Sequence, residues 1–187
     1  KNGALKQKYV GGTHFDLAKM PVPRRDLYYE KSGYDWQEDL VQVARGCTYN
    51  CSMCPIPTLQ SNQIRLRPVE KIVQEIKSLK YDKVYLAEDV PFFTDPQIEA
   101  WSAELFAALA PLGKKFFVTS TMTLNTSSEF LDLIARAGVN SFYCTFNTEP
   151  VSIRALSGKK QQIRDVVDLA HKLNDRGIRF FASFAMG

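Results

Sequence analysis

Three of the four cysteines in this chain fall within eight residues, in the segment Arg45-Gly46-Cys47-Thr48-Tyr49-Asn50-Cys51-Ser52-Met53-Cys54-Pro55. A disulfide framework would spread an even set of cysteines across a small secreted chain. Three thiols on one short segment instead suit a shared metal centre, because each thiolate can turn inward without long-range closure. Structural zinc prefers four ligands, usually in C-x2-C pairs, and no second pair is present. The remaining thiol, Cys144, lies far downstream and reads as a small packed hydrophobe. A C-x3-C-x2-C segment leaves one iron of a [4Fe–4S] cluster without a protein thiolate, unlike the four-cysteine electron carriers. An open iron is a coordination site for a substrate or cofactor. The alternative at this level is a zinc or other iron–sulfur knot stabilising a non-catalytic binding module.

The elements that must position these thiols follow from periodicity. Leu40–Ala44 reads as a strand leading into the cysteine segment. Pro68 opens a helix along Val69, Ile72, Val73, Ile76 and Leu79. Lys83–Leu86 is the next strand, ending at Ala87-Glu88-Asp89. Asp95-Pro96 opens a helix to about Leu112, closed by Gly113. Phe116–Ser120 is β-rich. Thr126 with Glu129 predicts a capping box for a helix whose Phe130, Leu133, Ile134 and Ala137 share one face, stopped at Gly138. Ser141–Phe146 is a further strand, and Ile163, Val166, Val167, Ala170 and Leu173 mark a helix ending at Gly177. Ile178–Ala185 is the last strand. Five strands alternating with helical connections are the pattern of parallel βα units, giving an α/β open sheet or partial barrel with outer helices. Function in such folds gathers at the C-terminal strand ends. The cysteine segment, Glu88-Asp89, Thr119-Ser120-Thr121 and Asn147-Thr148-Glu149 all fall there.

The cysteine spacing, with Gly46 and Pro55, resembles the signature of the radical S-adenosylmethionine (SAM) enzymes. The resemblance runs from about Leu40 to Gly187 and implies a partial (β/α)6 TIM-like barrel. Five strands are present, so the sixth is expected beyond Gly187. It implies a [4Fe–4S] cluster on Cys47, Cys51 and Cys54, whose open iron chelates the amino and carboxylate groups of SAM, with Met53 beside the adenine. Reductive cleavage of SAM would give a 5′-deoxyadenosyl radical that abstracts a substrate hydrogen. Glu88 and Asp89 match the family's segment that holds the SAM amino group. Many members have Gly-Gly-Glu there, so the contacting atom is left open. Glu149, in Thr145–Pro150, and the strand-end Thr119 and Thr121 are further candidate SAM contacts. A solvated acid or an ordinary strand threonine is the competing reading of each. No catalytic side chain is assigned.

The division expected is an extended N-terminal arm over 1–38 and the radical SAM core over 39–187. The stretch Asp16–Leu27, with Met20-Pro21-Val22-Pro23-Arg24-Arg25, looks like the linker to a cobalamin-binding domain in B12-dependent members. By itself it is a Pro-punctuated arm that packs against a barrel edge. The resemblance thus implies cobalamin held by a domain outside this chain, and methyl transfer to an unactivated centre. Oxidative cyclisation and ring rearrangement are the related alternatives. Arg65 and Arg67 fit the family's basic segment after the cysteines, or an exposed basic edge. Tyr28, Tyr29, Tyr34 and Trp36 read as core packing before a base-stacking platform.

Composition bounds the partners. Hydrophobic residues at 45% and charged residues at 24% exclude a disordered or fibrous class. A net charge of +4, from 24 basic and 20 acidic residues interspersed, gives no electrostatic footprint for nucleic acid. The longest apolar runs, such as Leu105–Leu112, are far below the ~18 residues of a membrane span. No secretory signal opens the chain. A cytoplasmic protein is expected, acting on a small molecule and served by a one-electron donor such as a flavodoxin or ferredoxin. The first residue is Lys1 and the last, Gly187, follows the apolar run from Phe180 to Met186. A fragment of a longer protein is therefore expected.

Overall fold

Alternation of buried and open side chains builds one sheet. The computed structural model describes residues 7, 14–30, 37–48, 54–60, 62–89, 92, 96–120, 127–147 and 163–185. In chain order these form α1 (Asp26–Tyr29), β1 (Glu38–Gln42), β2 (Ala44–Arg45), α2 (Ile56–Gln60), β3 (Arg65–Leu66), α3 (Val69–Lys77), β4 (Lys83–Ala87), α4 (Pro96–Leu109), β5 (Lys115–Ser120), α5 (Ser128–Arg136), β6 (Val139–Asn147), α6 (Ile163–Asn174) and β7 (Arg179–Ala185). The main sheet has the order β1-β4-β5-β6-β7, with every neighbouring pair parallel. Among the described residues it does not close on itself.

Right-handed crossovers between sequentially adjacent strands put every connecting helix on the same side of the sheet. One hydrophobic cluster accordingly joins Val84 and Leu86 of β4, Phe116 and Val118 of β5 and Phe142 and Cys144 of β6 to Ile76, Phe106, Ile134 and Leu169 of the four long helices. The predicted α/β class with five parallel strands and outer helices is what the structure has. Gly113, Gly138 and Gly177 stand just past helix ends with positive φ, as the stop signals require. Cys144 is fully buried in this core, and burial pushes its thiol pKa up to about 12. Such a thiol packs as a hydrophobe and resists becoming a thiolate ligand.

Three local expectations need correction. The run Leu40–Ala44 is not one strand. β1 ends at Gln42, and Val43 changes partner: its N–H still donates to Ala87 O at 2.9 Å while its carbonyl accepts from Arg67 N at 3.0 Å. β2 then pairs antiparallel with β3 in a separate two-stranded ribbon. The cap of α5 is Ser127, whose hydroxyl accepts from Phe130 N–H, so the predicted box is displaced by one residue. Thr126 lies outside the described residues. Arg67 is neither a strand-face nor an edge cation: it is 2% exposed and sits against Glu75, itself 1% exposed.

Glu75 is the centre of a buried charge network. Its Oε1 accepts from Arg25 Nη2 at 2.5 Å. Its Oε2 is 2.6 Å from Arg67 Nη2, in ion-pair contact but out of hydrogen-bond alignment. Arg25 also donates to Leu40 O at 2.6 Å and lies 3.5 Å from Asp39 Oδ1. Tyr29 donates to the same Asp39 oxygen at 2.6 Å. Burial, then that hydrogen bond, pushes the Tyr29 phenol up to about 12. The arm is thus tied to the outer side of edge strand β1 by ion pairs, with Leu17 buried beside it. Tyr29 also packs edge-on against Tyr81, with centroids 5.3 Å apart. Tyr34 and Trp36 lie outside the described residues.

Candidate functional site

The cysteine segment leaves the sheet at its C-terminal edge and is closed at its base by the β2–β3 ribbon, in which Ala44 faces Leu66 and Arg45 faces Arg65. A small core of Ala44, Ile98, Ile64, Leu66 and Trp101 backs this ribbon. The Trp101 indole N–H adds a hydrogen bond to Arg67 O at 3.0 Å. Helix α4 therefore buttresses the ribbon as well as the sheet.

Gly46 opens the segment with φ of +85°, and a Cβ there would stand 1.8 Å from Gln63 O. Only a residue without a side chain lets the outgoing and returning chains pass at this point. The Gly46 N–H donates to Asp89 Oδ2 at 2.9 Å. The carboxylate at the end of β4 thus holds the peptide next to Cys47. Cys47 is 7% exposed and Cys54 is partly buried. Cys51 and Met53 lie outside the described residues, as do Thr121 and Glu149. Among the described residues no group of three His, Cys, Asp or Glu side chains lies within reach of one metal ion.

Glu88 and Asp89, predicted as one feature, have separate partners. Asp89 is engaged by the cysteine segment. Glu88 Oε1 accepts a hydrogen bond from the Thr119 hydroxyl at the end of β5. Glu88 Oε2 is enclosed and has no hydrogen-bond partner among the described residues. Burial, opposed by the Thr119 hydrogen bond and reinforced by Asp89, holds the Glu88 carboxyl well above the usual carboxylate range. Burial likewise raises the phenol of Tyr85, one turn of the pleat below, with the Glu88 charge adding to it. A buried carboxylate oxygen without a donor is a standing penalty unless a cation or donor arrives. The strand ends therefore present, beside the cysteine segment, a buried carboxyl that is favoured as a carboxylate only when a cation arrives. The chemistry of this site fits the ammonium of an amino acid, and the three thiols in the sequence of the adjoining segment fit an iron–sulfur cluster.

Sequence reasoning missed the division of labour between Glu88 and Asp89, and it missed Arg25, Asp39 and Glu75. It also passed over the side of the sheet away from the helices. There Leu40, Tyr85 and Phe117 stand side by side by register, and Phe181 is 47% exposed. The signal was available: Lys83-Val84-Tyr85-Leu86 and Lys115-Phe116-Phe117-Val118 alternate, whereas strands covered equally on both faces read as continuous apolar runs.

The sequence profile of the radical SAM superfamily matches residues 41–187. Over 180 residues the chain is 23% identical to an uncharacterized methyltransferase of Synechocystis, covering 92% of this chain and 33% of that protein. A stretch of 75 residues is 46% identical to the ribosomal protein uS12 methylthiotransferase RimO of Gloeobacter violaceus, covering 40% of this chain and 16% of the relative. Among solved structures, the cobalamin-dependent S-adenosylmethionine radical enzyme OxsB, with aqua-cobalamin and S-adenosylmethionine bound, superposes with a TM-score of 0.69 at 16% identity. It covers 96% of this chain and 28% of its own. The radical S-adenosylmethionine methyltransferase TsrM of Kitasatospora setae, with cobalamin and a [4Fe–4S] cluster bound, gives 0.68 at 18% identity, over 80% of this chain and 31% of its own. At these identities the structural likeness shows the fold. The chain spans a third or less of the length of these relatives. Among the described residues, no helix is long and apolar enough to cross a membrane.

Proposed function

The chain belongs to the radical SAM superfamily, and from that premise we propose that it is the cluster- and SAM-binding domain of a cobalamin-dependent methyltransferase. The observation that carries the cofactor assignment is the enclosed, unpartnered Oε2 of Glu88 at the strand end beside the cysteine segment. Likeness to OxsB and TsrM, and to the Synechocystis methyltransferase, supports methyl transfer and cobalamin. On this reading cobalamin is held outside residues 39–187, with the arm over 1–38 as the connection.

Cys47, Cys51 and Cys54 would hold the cluster, and Glu88 would receive the SAM ammonium. Met53, Thr121 and Glu149 are proposed to complete the SAM site, with Thr119 orienting Glu88. Bound together, the cluster and SAM would supply a 5′-deoxyadenosyl radical from one donated electron. The protein's own part is to anchor the thiol segment through Asp89, to hold a carboxyl in place for the ammonium, and to keep water from both. Flavodoxin or ferredoxin in the cytoplasm would be the electron donor. A second reading, methylthio transfer, is favoured by the local 46% identity to RimO. Mass spectrometry of the product separates the two, because one adds carbon alone and the other carbon with sulfur.

Anaerobic reconstitution with iron and sulfide tests the assignment. A brown protein holding about four irons per chain, which releases deoxyadenosine from SAM on reduction, is expected. Cys51→Ala should lose both cluster and deoxyadenosine. Stoichiometric zinc in place of iron, or full cluster content in that variant, would refute it.

Glu88→Gln supplies an independent prediction. Loss of a charge-assisted hydrogen bond should weaken SAM binding about ten- to a hundredfold, read by calorimetry. The same variant should be more heat-stable than the parent without SAM. Glu88 binds its proton more tightly folded than unfolded. Its contribution is therefore present in acid and is lost as pH rises through the folded pKa. Glutamine suffers no such loss, so the stability gap should widen from acid to neutral pH. SAM affinity of the parent should rise over the same interval, while that of the variant stays flat. A variant less stable than the parent at neutral pH would count against the assignment of Oε2 as an unsatisfied anion site.

A further inference from the structure

The bare side of the sheet carries two adjoining cavities at the N-terminal ends of the strands, remote from the cysteine segment. One, of about 640 Å³, lies under the arm; its wall is mostly apolar, with Leu40, Tyr85 and Phe117, and also includes the charged Arg25, Glu38 and Asp39. The other, of about 320 Å³, shares Glu38 and Phe117 and adds Lys83, Lys115, Arg179 and Phe181. The first is mostly apolar and the second is basic. Register explains the layering: Leu40, Tyr85 and Phe117 form one tier, and Glu38, Lys83 and Lys115 the tier below. The Tyr85 and Phe117 rings lie 5.1 Å apart, and Phe117 and Phe181 6.4 Å apart, so the aromatic tier is continuous. The register shift between β5 and β6 at Phe116/Phe117 brings Asn140 and Ser141 into the basic lining.

Three cations meet one carboxylate in the smaller cavity. Among the described residues neither Lys83 nor Lys115 has an ion-pair partner, and Arg179 donates to the Ser141 hydroxyl at 3.0 Å instead of to an acid. Arg25, Arg67 and Arg176 each lie against a carboxylate, whereas Arg45 and Arg65 donate to the side chains of Gln42 and Gln60. The lining of the smaller cavity thus carries more positive than negative groups, with Glu38 its one carboxylate.

We propose that this groove binds an elongated amphipathic molecule with an anionic head group. The head lies among Lys83, Lys115 and Arg179, and the apolar body lies on Leu40, Tyr85 and Phe117. Lys83 opens β4 and Glu88 follows its last residue, about 16 Å away at the rise of a parallel strand. A body running along that strand carries its far end to the level of Glu88 and Thr119. Taken with the proposed radical chemistry, on which this last step rests, the bound molecule is the substrate and its reacting carbon is remote from its charged end.

Binding is measured on the full chain by calorimetry with four ten-carbon probes: decanoate, decyl phosphate, decanol and decyltrimethylammonium. At low ionic strength the two anions should bind at least about tenfold more tightly than decanol, and added salt should shrink that margin. A preference between the two anions identifies the head group as carboxylate or phosphate. Lys83→Glu with Lys115→Glu, at two exposed positions, should invert the order in favour of decyltrimethylammonium while leaving the unfolding temperature unchanged. Leu40→Ser, also exposed, should weaken all four probes alike. Equal affinity for decanoate and decanol, or no inversion in the doubly substituted chain, would overturn the proposal. These outcomes do not depend on the cluster. Absence of deoxyadenosine with the expected probe order would refute the radical reading and leave the groove standing.

Discussion

Glu75→Ala is expected to destabilise the chain by about 3–5 kcal/mol, the cost of leaving buried cations without their carboxylate. Glu75 is 1% exposed and contacts Arg25 at 2.5 Å and Arg67 at 2.6 Å. Removing it strands two guanidinium groups, and among the described residues Asp39 is the other acid in ion-pair contact with either. Against a total stability of about 5–15 kcal/mol for an ordinary domain, this is a large fraction. Urea unfolding followed by circular dichroism measures it directly. A triple change of Arg25, Arg67 and Glu75 to methionine should recover most of the loss, because replacing a buried charge group whole is far less harmful than breaking it. A loss below about 1 kcal/mol in the single variant would place that contact in the class of surface pairs. The predicted consequence is specific: the arm carrying Arg25 should become protease-sensitive before the sheet does.

Gly46→Ala is expected to impair cluster loading several-fold. The positive φ alone costs an alanine roughly 1–2 kcal/mol, and the added methyl would lie 1.8 Å from Gln63 O. Backbone must therefore move, and the hydrogen bond from Gly46 N–H to Asp89 breaks with it. Iron content after anaerobic reconstitution should fall several-fold, while the far-UV spectrum of the five-stranded sheet is retained. Asp89→Asn is the milder companion, keeping an acceptor for Gly46 and retaining most of the cluster. Full iron content in the Gly46 variant would show that the segment closes by another route.

The features legible in the sequence are those fixed by short-range chemistry. Thiol spacing, β-rich runs and glycine stops each depend on a few consecutive residues, so the five parallel strands and their helices could be read off. The network around Glu75 could not. Its side chain lies beside Ile72 and Ile76 on the buried stripe of α3, where periodicity expects an apolar residue. The partner that satisfies it, Arg25, is fifty positions away on an arm that composition describes only as extended. Ser127 was missed as a cap because Thr126 beside it carries the same hydroxyl chemistry, and backbone geometry alone chooses between them. The break at Val43 is equally invisible, since a valine suits either side of a change of hydrogen-bond partner. Glu88 and Asp89 look equivalent as a pair of acids. Only packing sends one to Thr119 and the other to Gly46.

The two-residue ribbon joining Ala44–Arg45 to Arg65–Leu66 has a kinetic consequence. It brings the two ends of the segment that carries Cys47, Cys51 and Cys54 together, so the entropy of closing that loop is met by the fold before any iron arrives. On the proposed ligand set, a first iron held by one thiolate would meet the others as tethered neighbours, at an effective concentration on the order of millimolar. With the proposed cysteine ligands, cluster assembly would be intramolecular, and its rate is expected to depend on iron and sulfide supply and be insensitive to protein concentration.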